Sequence, residues 1–158
     1  FAAQALMEGN IDGFWSNAMG AETAVTGGVG KIHVDVRRGD DPGDIRFATF
    51  AGLATTDDYI AREPEQIDAA VRAIVKVQAA LRADPTLARE VGYRKFPPES
   101  AALIAGVVER DVSFYDPVIS EDNVQRMNSF AQSVGQLTGL IPYEQVVATR
   151  SCPLWTGG

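Results

Sequence analysis

Gly9-Asn10-Ile11-Asp12-Gly13-Phe14-Trp15-Ser16-Asn17-Ala18-Met19-Gly20-Ala21-Glu22 is the stretch that says the most about the fold. A helix-like run carrying Ala2, Ala5 and Leu6 stops at Gly9. Ile11 to Trp15 then reads as a short apolar strand. Ser16 or Asn17 stands where a following helix, over 17–25, takes its N-cap. A strand that ends in an aromatic residue and opens into a capped helix leaves backbone N–H groups and a flat ring at one edge of a sheet. In open α/β folds small ligands bind at that edge. Neighbouring strand residues alternate faces, so one of Phe14 and Trp15 must point away from the core. Trp15 beside the cap is placed as a pocket wall. The expected fold class is therefore α/β.

Downstream, the helix candidate stops at Gly27-Gly28-Val29-Gly30. In Lys31-Ile32-His33-Val34-Asp35-Val36-Arg37, apolar and polar residues alternate with period two, the pattern of a half-buried strand. Gly39-Asp40-Asp41-Pro42-Gly43-Asp44 is rich in turn formers. Ile45 to Thr55 reads as a further strand, β-branched and aromatic with small residues between. Thr49 and Phe50 on it are candidate cleft residues.

From Thr56 the texture turns helical. Thr56 or Asp57 caps a short helix holding Tyr59 and Ile60. Glu63-Pro64-Glu65 opens a long one, with proline in the first turn, where its missing N–H is not needed. Ile67, Ala70, Val71, Ile74, Val77, Gln78 and Leu81 share one face of it. Asp84-Pro85 restarts the pattern: Asp84 caps a further helix, Pro85 takes its first position, and Leu87 and Val91 face inward. A helix over about 98–110 buries Leu103, Ile104, Val107 and Val108. A last long stripe holds Val124, Met127, Phe130, Ala131, Val134 and Leu137, with Gly135 inside it. A short helix follows over 142–147, and then a tail without periodicity.

The bulk composition narrows the function. The chain has 158 residues, 46% hydrophobic and 22% charged, values of a globular protein with no run long enough to span a bilayer. A net charge of −7 argues against nucleic acid as a partner. Cys152 is the single cysteine, which excludes an internal disulfide and a cysteine-built metal site. The chain opens at Phe1 inside a helix-like pattern, without a signal-peptide profile. It therefore reads as a processed chain or a fragment, whose missing N-terminal part would carry half of a binding site.

Candidate chemistry is sparse. Gly27-Gly28-Val29-Gly30-Lys31 lacks the phosphate-loop spacing, because Val25 and Ile32 stand where Gly and Ser/Thr are required. It reads as a helix stop. Arg38-Gly39-Asp40 falls inside a turn. His33 lies on the polar phase of its segment with no nucleophile in context. Asp40, Asp41 and Asp44 miss the EF-hand spacing. Cys152 has only Arg150 nearby to favour a thiolate. Trp15, Ser16, Asn17, Glu22, Thr49 and Phe50 remain as ligand-binding candidates. No catalytic residue, metal or cofactor is expected, and the chain reads as a binder rather than an enzyme.

The order of motifs carries a resemblance. Gly9-Asn10-Ile11-Asp12-Gly13-Phe14-Trp15 comes first, then a glycine-rich turn and a strand. Phe47-Ala48-Thr49-Phe50-Ala51-Gly52-Leu53-Ala54-Thr55-Thr56 follows, then Tyr59-Ile60-Ala61-Arg62-Glu63-Pro64-Glu65 and the amphipathic helix with Arg72-Ala73. This resembles the C-terminal half of the solute-binding proteins of ABC importers, in the nitrate/alkanesulfonate/taurine and thiamine-pyrimidine-precursor branch. It runs to about Arg150. The resemblance implies a two-lobed, periplasmic-binding-protein-like α/β fold of type II that closes on a small polar or anionic organic compound. Residues 1–44 would belong to the second lobe and 45–55 to the return crossover strand. Residues 56–150 would form the helical part of the first lobe and the C-terminal helices, and 151–158 a tail. It also implies an ABC permease as membrane partner and a periplasmic or extracellular location. The absent N-terminal part, or a second copy, would cover exposed apolar surface. Where many sulfonate and nitrate binders have an acidic residue and proline, Asn17-Ala18 stands here. The clustered cysteines of the pyrimidine-synthase relatives are absent, which leaves an enzyme dependent on His33 as the alternative, beside a helical interaction domain without transport function.

Overall fold

The computed structural model describes residues 2–40 and 51–156. The expected α/β fold is not what forms: among the described residues there are helices, turns and extended connections, and no strand. Ile11–Trp15 is irregular backbone, interrupted by Asp12 and Gly13. Lys31–Asp35 has no regular structure and forms no strand ladder with any described residue. The alternation there meets a competing local structure. The Asp35 carboxylate accepts from the Arg37 N–H at 3.1 Å and starts a 3-10 turn over Val36–Arg38, which ends at Gly39 with φ +80°. A side chain that captures backbone donors removes them from any ladder. Of the third expected strand, residues 51–55 are exposed coil, and 45–50 lie outside the described residues. With no sheet among the described residues, the two-lobed α/β architecture is set aside.

The chain divides into two compact units. One comprises Phe1–Val34 with Ala80–Tyr115, the other Asp35–Ala79 with Asp116–Gly158.

The first unit holds α1 (Ala2–Met7), α2 (Ala18–Thr26), α5 (Leu87–Lys95) and α6 (Pro98–Asp111). Small residues set its packing. Ala101 and Ala105 are fully buried, and a Cβ built on Gly92 of α5 would sit 3.3 Å from the Ala101 Cβ. The two backbones approach so closely that Leu103, Ile104, Val107 and Val108 are only half-buried, and Val91 is exposed. The inward line expected from the large residues is occupied by alanine and glycine. Asp84 does not cap α5 directly. Its Oδ1 accepts from Thr86 N (3.0 Å) and Thr86 Oγ1 (2.6 Å), an Asx turn one residue before the helix begins. Arg82 Nη1 closes the other end of the unit on the Tyr115 carbonyl at 2.6 Å.

The second unit holds α3 (Asp57–Arg62), the greater part of α4 (Pro64–Ala83), α7 (Glu121–Ser133), α8 (Tyr143–Val146) and a 3-10 helix over Thr149–Leu154. Thr56 and Ser120 cap α3 and α7 through their hydroxyls. On α4 only Ile67 is buried, while Ile74 and Val77 are exposed. On α7 the buried pair is Val124 and Asn128, and Phe130 and Val134 are exposed. The C-terminal turn is tied to α4 by Asp68, which accepts from Ser151 Oγ at 3.1 Å and pairs with Arg150 at 3.4 Å.

Three helices end in the same way. At the ends of α1, α2 and α7, Gly9, Gly28 and Gly135 take φ of +72°, +71° and +73°. In each case the following residue donates back across the turn: Asn10 to Ala5 O (2.8 Å), Val29 to Ala24 O (3.0 Å) and Gln136 to Ala131 O (2.8 Å). These are Schellman stops, which satisfy carbonyls the helix leaves open. Gly135 therefore ends α7 rather than interrupting it.

Candidate functional site

Asn17 is the N-cap of α2. It has extended backbone (φ −69°, ψ 172°), and its Oδ1 accepts from the Gly20 N–H at 3.2 Å. Ser16, the alternative cap, sits beside it with a different role. A Cβ on Gly20 would fall 2.0 Å from Ser16 Oγ, so the hydroxyl occupies space that only glycine leaves empty. Trp15 precedes this pair and is 76% exposed, while Phe14 is half-buried. Phe14 and Trp15 differ in exposure, but on irregular backbone, not through the strand alternation that was the reason to expect it. An exposed indole, a serine hydroxyl and the first N–H groups of α2 can together offer a flat apolar face, a donor or acceptor, and weak anion attraction.

Glu22 lies further along α2 and faces α6. Its Oε2 accepts from Arg110 Nη1, while Oε1 accepts from Thr26 Oγ1 at 3.4 Å. Arg110 also donates from Nε to the buried Asp111 carboxylate at 2.8 Å. Those two carboxylates hold the guanidinium pKa above its usual value, Asp111 most strongly, against the opposing effect of burial. Glu22, Thr23 and Thr26 of α2, Gly27 at its C-cap, and Glu99, Ala102 and Leu103 of α6 line an open groove of about 390 Å³. Of the sequence-derived candidates, Trp15, Ser16, Asn17 and Glu22 fall on or before α2, with Trp15 and Glu22 toward opposite ends. Thr49 and Phe50 lie outside the described residues.

Arg110 was not legible as the partner of Glu22, nor Glu99 as a residue of the same groove. Arg110 stands 88 positions away in the chain. No local pattern couples such positions, and only an unpaired glutamate in an otherwise apolar helix face hints at a distant cation.

Elsewhere, His33 is exposed and has no hydrogen-bond partner among the described residues. Tyr143 donates to the Ile119 carbonyl at 2.6 Å. Burial, with Cys152 beside it, pushes its phenol pKa up. No group of three or more His, Cys, Asp or Glu side chains among the described residues is arranged to hold a metal ion. No described helix is long and apolar enough to cross a membrane.

Comparison with protein-family models, with curated proteins and with solved structures returned no match. The local geometry and the motif order are the remaining grounds for a functional reading.

Proposed function

We propose that this chain is a solute-binding component of an ABC importer and captures a small polar or anionic organic compound at the segment leading into α2. The observation that carries the reading is the 76% exposure of Trp15 immediately before the Asn17-capped helix start. An indole left in water beside a helix N-terminus keeps a flat face free to stack on a ligand. The order of motifs from Gly9 to Arg72 supports the same class. Capture in this form uses the loop at 11–17 and the first turn of α2, and calls on no hinge between lobes. Ser16 and Asn17 supply polar contacts. The partner is a membrane permease, met outside the cytoplasm.

The test is binding of a solute panel (sulfonates, pyrimidines, nitrate and aromatic acids) by thermal shift and then calorimetry, in the native chain and in Trp15→Ala. A hit weakened about tenfold or more by the substitution supports the reading. A hit whose affinity ignores it removes Trp15 from the site.

A second reading, a helical interaction module, draws on a different observation. Val77, Leu140, Val146 and Val134 are all more than half exposed, at 56%, 65%, 55% and 51%. Light scattering that shows a concentration-dependent assembly, reduced by Leu140→Ser, would favour this module.

A further inference from the structure

Asp12-Gly13 is the one Asp-Gly pair in the chain, and there is no Asn-Gly. An aspartate followed by glycine is prone to attack by its own backbone. The glycine nitrogen reaches the side-chain carboxyl carbon, because no glycine side chain shields that nitrogen or restricts the dihedral angles of the approach. Local structure decides whether the attack proceeds. It needs a nitrogen not held in a hydrogen bond, a carboxyl not engaged elsewhere, and a backbone not fixed in a helix or a sheet.

All three conditions are met. The pair lies on the irregular stretch between α1 and α2, and both residues are exposed. Among the described residues, no hydrogen bond or ion pair engages the Asp12 carboxyl or the Gly13 N–H. A Cβ on Gly13 would meet nothing within 4 Å, so the space around the pair is open. Asn128-Ser129 is the one asparagine that precedes a glycine or serine, and its surroundings are the opposite. It lies inside α7, where the helix fixes the backbone, and the Asn128 amide is buried and bonded to Ile141.

We infer that Asp12-Gly13 is a site of spontaneous isoaspartate formation just ahead of Trp15. The Gly13 nitrogen bonds to Cγ of the Asp12 carboxylic acid. The C–OH bond breaks, the OH leaves with the proton of the Gly13 N–H as water, and a succinimide ring closes. Water then adds to one of the two ring carbonyls. Opening at the side-chain carbonyl restores aspartate. Opening at the main-chain carbonyl breaks its bond to the Gly13 nitrogen. The chain then runs through Cβ and Cγ, one methylene longer, with the former main-chain carbonyl left as a free carboxylate. The product lengthens the connection that leads to Trp15, Ser16 and the Asn17 cap. The inference does not depend on the binding role given to Trp15.

The test incubates the native chain, folded and in urea, in water enriched in heavy oxygen, and reads its proteolytic peptides by chromatography and mass spectrometry. In the folded chain the Asp12 peptide is expected to pass through a species lighter by one water and to split into two chromatographic forms. It gains heavy oxygen with time and accepts methyl groups from an isoaspartyl methyltransferase, while the Asn128 peptide stays unchanged. In urea the Asn128 peptide deamidates as well. Gly13→Val, at a backbone without positive φ, brings uptake at Asp12 down to that of the other aspartates, and Asp12→Glu loses it. Circular dichroism checks that both variants keep their helices, and the comparison of Asp12 with Asn128 in the native chain needs no variant. Three results would each overturn the inference: uptake at Asp12 in the folded chain no faster than at other aspartates, equal uptake in a folded Gly13→Val, or an Asn128 that reacts as readily as Asp12 in the folded chain.

Discussion

The Asn128 side chain exchanges two hydrogen bonds with the backbone of Ile141. Its Nδ2 donates to the Ile141 carbonyl at 2.9 Å, and the Ile141 N–H donates to its Oδ1 at 3.1 Å. Asn128 is 7% exposed. The amide therefore acts as a short strand edge, pinning the segment before α8 to the middle of α7. Asn128→Ala removes both bonds and leaves two backbone groups without partners, a loss of about 2 kcal/mol. Urea unfolding measures it as a lower midpoint at unchanged slope. Asn128→Asp keeps the acceptor and loses the donor, so it falls between the two.

Ala101 and Gly92 face each other where α5 and α6 come close, a Cβ on Gly92 falling 3.3 Å from that of Ala101. Ala101 has no exposed surface, and the space opposite is bounded by the Gly92 backbone. Ala101→Leu adds volume where neither helix can yield without shifting, and overpacking of this kind costs about 1–3 kcal/mol. Thermal unfolding followed by circular dichroism is expected to show a fall in Tm. An unchanged Tm would mean that the helices do not pack as described.

Gly135 is held at φ +73° by the stop at the end of α7. A Cβ there meets nothing within 4 Å, so Gly135→Ala isolates the backbone effect from any clash. The expected destabilisation is about 1 kcal/mol, from forcing an L-residue into the left-handed region. Gly139, which also has open space but no positive φ, is the control, and its alanine variant is expected to be near neutral.

The Asp35 carboxyl is held below its usual range, above all by the hydrogen bond from the Arg37 side chain; burial opposes this as the next largest effect, and the Arg37 backbone N–H and the neighbouring guanidinium charges add to the lowering. A depressed carboxyl contributes stability that is fully present above its unfolded pKa, near 3.8, and that stability is lost as pH falls through the lower folded value. An NMR titration of the Asp35 side-chain carbon is expected to give a midpoint below that of an unstructured aspartate. Arg37→Gln moves the midpoint back up. Asp35→Asn removes the contribution at neutral pH and changes little at pH 2.

Local signals in the chain were read well, and signals that need a distant partner were not. Gly9, Gly28, Thr56, Pro64, Ser120 and Pro98 mark helix ends because capping involves groups within a few residues of each other. The segments 11–15 and 31–36 have strand composition, but a strand exists only where another segment presents its donors and acceptors. Here Asp35 satisfies the Arg37 N–H locally instead. The buried faces of α5 and α6 were misjudged for a related reason. Periodicity ranks Leu103 and Val107 as core because they are large, whereas a close helix crossing favours Ala101, Ala105 and Gly92. At the candidate site, Asn17 and Trp15 announce themselves through the cap and the aromatic before it. The pairing of Glu22 with Arg110 depends on how α2 and α6 pack, which no window of sequence contains.

The empty space at Gly20 gives that position control over a group it would never be expected to influence. A methyl group there would evict the Ser16 hydroxyl, so a change on the helix would be felt as an altered polar surface beside the indole. Drift at residue 20 could retune what this edge of the molecule recognises without any exchange at the recognising residues themselves.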